Sequence, residues 1–112
     1  MLYPYFTVGF STPVPHAHNL FLQVGTNLGL PGLVAYGTIV LLCLWMAASV
    51  VTDRVDRWIR FVGAGLLGAL VAVLTHGLFD AVLWGTKPAF ELWWLFGLAA
   101  TVYSSSIIQS GE

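Results

Sequence analysis

Apolar positions gather into three long stretches in the last two thirds of the chain, separated by short polar breaks. Residues 31–51, PGLVAYGTIVLLCLWMAASVV, form the first. The second runs over residues 58–83 around the centre FVGAGLLGALVAVL, and the third over residues 88–108. A helix needs about 20 predominantly apolar residues to cross a bilayer, and none of the three carries a charge in its middle third. The pattern predicts an all-α membrane protein with three transmembrane helices. Residues 16–28 are organised differently. Leu20, Phe21, Val24 and Leu28 recur on one helical face, and Asn19, Gln23, Thr26 and Asn27 on the other. That is the signature of a short amphipathic helix, expected to lie at the membrane interface. Gly29, Pro31 and Gly32 then predict a break. An unbroken helix from Pro15 to Val51 would be about 55 Å long, far more than a hydrocarbon core.

Before residue 16 the periodicity vanishes. MLYPYFTVGFSTPVP has no basic leader and no continuous apolar run, and Pro4, Gly9, Pro13 and Pro15 mark turns. Residues 1–15 therefore read as an external loop. A membrane chain that opens inside such a loop is expected to be the C-terminal fragment of a longer polytopic domain, with further transmembrane helices upstream.

Composition strengthens this picture. The 112 residues are 58% hydrophobic and 8% charged, with a mean hydropathy of +0.85. Soluble domains carry about 25% charged residues, so three such segments would leave a water-soluble fold without a polar surface. The net charge of -1 offers nothing to nucleic acid. The single Cys43 lies within an apolar run and makes no disulfide framework. Three of the four basic residues, Arg54, Arg57 and Arg60, share the TDRVDRWIR loop, which the positive-inside rule assigns to the cytoplasm. The region from residue 76 to 87 and the segment around residue 16 then lie outside, and the C-terminus inside. Trp84, Trp93 and Trp94 fit an outer aromatic belt. Gly63, Gly65 and Gly68, with Ala64 and Ala69, permit close helix packing.

Candidate chemistry sits at the predicted outer face. His16, His18 and Asn19 stand at the start of the short helix, where backbone N–H groups and the positive dipole end attract anions. A neutral histidine there can act as a general base at neutral pH. The structural alternative is as simple: Asn19 is a good N-cap residue, and His16 a wetted loop histidine. No metal is expected, because His-x-His has no third ligand nearby. His76 and Asp80 are one turn apart near the outer end of the second span, about 27 Å along it from Trp58. Ionisable residues at membrane depth are functional candidates; Asp80 could orient His76, either could contact a substrate, or the pair could simply satisfy each other. Glu91 and Pro88 fit the first turn of the third helix.

At HAHNLFLQVGTNLGLPG the chain resembles the O-antigen ligase and polymerase superfamily. The pattern of the ligase branch is His, then Asn, Ser or Gln, nine residues, Gly, two residues, and Gly, Thr or Tyr. His18, Asn19, Gly29 and Gly32 occupy those places. THGLFDAVLWGTKPAFELWWLFGLA also resembles the family's closing section, so the likeness spans residues 16–100. The resemblance implies a bacterial cytoplasmic-membrane glycosyltransferase. Such enzymes move a glycan from an undecaprenyl-diphosphate carrier to lipid A-core, a growing polysaccharide or a protein, on the outer face. It implies His18 as the base that activates the acceptor, and no cofactor. The chain departs from the family in having three predicted spans and no external arginine to hold the diphosphate. It is therefore expected to be inactive alone. From a different class, the same sequence reads as a non-catalytic small membrane subunit that packs against partner helices through its glycine-bearing span.

Overall fold

The computed structural model describes residues 18–80 and 89–111. Three helices make up this part: α1 (Leu20–Thr52), α2 (Arg57–Gly77) and α3 (Ala89–Ser110). Among the described residues there is no strand. α1 and α2 are long and apolar enough to cross a membrane by length and composition. The bundle also wears apolar side chains on its outside: Leu41, Trp45, Phe61, Val71 and Trp94 are all more than half exposed. Water would not tolerate so continuous an apolar exterior on a small monomer, whereas a bilayer supplies apolar contacts to it.

Each boundary has a local cause. Asn19 caps α1, its side chain accepting from the amides of Phe21 and Leu22. α1 ends where Asp53 turns extended, its amide donating to the Ser49 carbonyl. Asp56 then caps α2 by accepting from the Trp58 amide. The connection between the first two spans is therefore only four residues, 53–56, which forces α1 and α2 antiparallel. α2 stops at Gly77, short of the predicted 83; residues 81–83 and Lys87 lie outside the described residues, as do the predicted external loop 1–15, His16, Trp84 and Pro88.

The helix α1 is two arms rather than one rod. Gly29 has φ 68° and ψ −174°, a backbone combination essentially reserved for glycine. Pro31 follows it without an N–H, tolerable at the start of the second arm. The consequence is a reversal. Phe21 and Tyr36 meet edge to face with ring centroids 6.0 Å apart, although a straight helix would separate them by about 22 Å. A small residue allows the arms to close: a Cβ on Gly32 would collide with Leu28, while Gly25 faces Leu33 across the reversal at ordinary contact distance.

The break at Gly29 is thus where the pattern put it, and the apolar face of the short helix is turned onto the bundle. It doubles back along the second arm, with Leu20 and Val24 wholly buried in the common core. Leu28, expected on the apolar face, is 56% exposed. The reversal turns that last residue of the first arm away from the core.

Around this hairpin the three helices share one apolar core. Val40, Cys43 and Ala47 of α1, Leu66, Leu70 and Leu74 of α2, and Leu92, Phe96 and Ala99 of α3 form it with Leu20, Val24 and Tyr36. The register between α1 and α2 is set at Gly63, where an added Cβ would come 2.7 Å from Val50 Cγ1. Gly65 and Gly68, one face over, have open space above them. These three glycines of α2 therefore divide: Gly63 packs inside the bundle, Gly65 and Gly68 face out. The hydroxyls of Thr101, Ser105 and Ser106 donate to carbonyls of their own helix, which removes the cost of carrying them in an apolar setting.

Candidate functional site

Antiparallel packing brings the start of α1 and the end of α2 to the same end of the bundle. Asn19 joins them. Its Oδ1 accepts from the amides of Phe21, at 2.9 Å, and Leu22, at 3.1 Å, while its Nδ2 donates to the Leu78 carbonyl at 3.0 Å. One side chain thus serves the free donors at a helix N-terminus and a free acceptor at a helix C-terminus, the two kinds of group that helix ends leave unmet. The Gln23 amide bonds back to the Asn19 carbonyl at 2.9 Å.

This geometry changes the meaning of the helix start. The amides that would attract an anion are occupied from within: Asn19 takes Phe21 and Leu22, and Gln23 has entered the helical ladder. His18, immediately before, is exposed. On the facing segment, His76 is the last basic residue of α2 and is also exposed. Its carbonyl receives the amides of Phe79, at 3.0 Å, and Asp80, at 3.1 Å, which closes the end of α2 as a tight turn and leaves Asp80 half-buried. His76 and Asp80 are one turn apart, as expected, although the regular helix ends at Gly77 between them.

The structure therefore brings together residues that the sequence offers as two separate candidates. His18 and Asn19 come from one end of the chain, His76 and Asp80 from 59 residues further on at the Asn19–Leu78 bond. Sequence reasoning had no access to that bond, because its acceptor is a backbone carbonyl and carries no residue signature. The one available signal was the choice of Asn for the cap, the only common cap residue with both an acceptor and an amide donor. The arginines are not part of this corner: Arg54 and Arg57 belong to the opposite end, beside the turn of residues 53–56. Among the described residues no group of three or more His, Cys, Asp or Glu side chains could hold a metal ion.

Beside the corner, a groove of about 500 Å³ runs between α1 and α2. Phe21, Gly37, Leu41, Val71, Thr75 and Leu78 are among its lining residues. It is almost wholly apolar and opens sideways, toward the lipid in a membrane setting. No protein-family model, curated protein or solved structure matches the chain.

Proposed function

We propose that the chain is the membrane-embedded acceptor-activating part of a glycan-transfer enzyme of the O-antigen ligase and polymerase kind. The observation that carries the reading is the coincidence of motif and hinge. The four motif positions His18, Asn19, Gly29 and Gly32 correspond to an exposed histidine, a cap that ties two helices, the reversal of α1 and the glycine against which Leu28 packs. In this reading α3 is the third span, and the end of the bundle bearing His18 is the outer face. Residues 52–60, with Arg54, Arg57 and Arg60, are cytoplasmic by the positive-inside rule.

His18 would take the proton from an acceptor hydroxyl. That oxygen attacks the anomeric carbon of the lipid-linked glycan, a new glycosidic C–O bond forms, and the bond to the diphosphate breaks with its electron pair leaving on phosphate. His76 and Asp80 stand ready to hold acceptor hydroxyls. The cationic clamp for the diphosphate would come from outside this chain, since Arg54 and Arg57 sit at the far end. The test is His18→Ala in the natural gene context. Loss of glycan transfer at an unchanged protein level is expected; normal transfer removes His18 from the base role.

A second reading, a non-catalytic subunit that packs on partner membrane helices, is favoured by the outward Gly65 and Gly68. Glycines with open space above them let another helix approach closely. Gly65→Leu separates the two: loss of a co-purifying membrane partner with intact glycan transfer supports the subunit reading.

A further inference from the structure

The cap of α1 does more than a cap requires. Ser, Thr or Asp would satisfy the amides of Phe21 and Leu22 equally well. None offers the carboxamide N–H that reaches Leu78 while the oxygen is still occupied by the helix start. That N–H ties the start of α1 to the end of α2, and it acts on the residue directly following His18. The two arms of α1 meet at glycines, and the first arm hangs from the reversal at Gly29, so its free end is the part with the longest lever. The geometry points to Asn19 as a positioning residue that fixes His18 against the end of α2, so that His18 and His76 serve a single acceptor.

The claim has a geometric half and a kinetic half. Only the kinetic half rests on the glycan-transfer reading.

Two substitutions separate the tie from the cap. Asn19→Asp keeps a capping oxygen but sets a second acceptor against the Leu78 carbonyl. Asn19→Ser keeps a capping hydroxyl too short to hold both helices. For the geometric half, spin labels go on Leu22→Cys and Phe79→Cys, both sites being well exposed, in a Cys43→Ala background of the whole chain in lipid nanodiscs. The distance distribution between the labels is expected to be narrow with Asn19. In both variants it is expected to broaden at least about twofold, with helix content by circular dichroism unchanged. A distribution as narrow as that with Asn19 in either folded variant overturns the proposal; if the Asp variant does not fold, the Ser variant decides.

For the kinetic half, transfer is measured per folded protein in native membranes. Misplacing a base by about an ångström is expected to lower kcat by about tenfold to a hundredfold and leave KM unchanged. A fall in protein amount alone, with kcat and KM preserved, assigns Asn19 a purely structural role and overturns the positioning claim. If the unsubstituted protein transfers no glycan, the glycan-transfer reading fails, while the spin-label result still decides whether Asn19 fixes the corner.

Discussion

The two ends of the bundle solve the same problem with different means. At the arginine end, α1 and α2 are joined by the four residues 53–56, and α3 is held through Gln109, whose Oε1 accepts from the Asp56 amide at a long 3.4 Å. Covalent connection does most of the work there. At the histidine end, the segments that meet are far apart in sequence, and the contact rests on Asn19, Leu20 and Val24. A short loop is cheap in closure entropy; a meeting across 59 residues has to be held by packing and by a well-made hydrogen bond. The end where α1 meets α2 without a short connecting turn is the end that presents exposed histidines, as expected if positioning there must be set by side chains.

The comparison is broken most directly at Leu20. Leu20→Ala leaves a cavity beneath the first arm and should destabilise the fold by about 3 kcal/mol, read as a shift in denaturant unfolding of the detergent-solubilised chain. The arm should also become the first part to exchange its amides. Next comes Gly63→Leu, which forces a side chain into Val50 and should cost about 2 kcal/mol by overpacking. The same change at Gly65 meets open space, and no loss of stability of the isolated chain is expected. Equal losses at the two sites would show that the glycines are not divided between inside and outside. Asp56→Ala removes the cap of α2 and should cost about 1 kcal/mol. Smallest is Gln109→Ala: its bond is long and exposed, so an effect of about 0.5 kcal/mol or less is expected. A larger loss there than at Asp56 would mean that the arginine end relies on tertiary ties after all.

Much of this architecture was legible in the chain. The helix identities followed from apolar runs too long for anything but helices, and the break at Gly29–Gly32 from residues that cannot continue one. What happens at a break is another matter. Gly29 and Pro31 announce a change of direction without stating its angle; the angle depends on Gly32 meeting Leu28, and on a core with room for Leu20 and Val24. For that reason the first arm reads from its own periodicity as an interfacial helix, and its folding onto its neighbour is not legible there. The helical period also places Leu28 with Leu20 and Val24, whereas the reversal takes it out of their company. The candidate site was legible in pieces. His18 and Asn19 stood out by type and place, as did His76 and Asp80, but their union depends on a backbone carbonyl that no residue letter encodes.

The reversal at Gly29 bears on how crossings are counted. Residues 20–52 look like a single apolar segment with an overlong beginning, and a reader of hydropathy would draw it as one overlong rod. The first arm goes out and the second returns past it and carries on to Thr52, so the two arms together make one crossing. In a membrane, residue 18 and residue 80 then belong to the same compartment. A reporter attached ahead of His18 should give the same accessibility signal as one placed just after Asp80, and the opposite signal from one placed at Arg54.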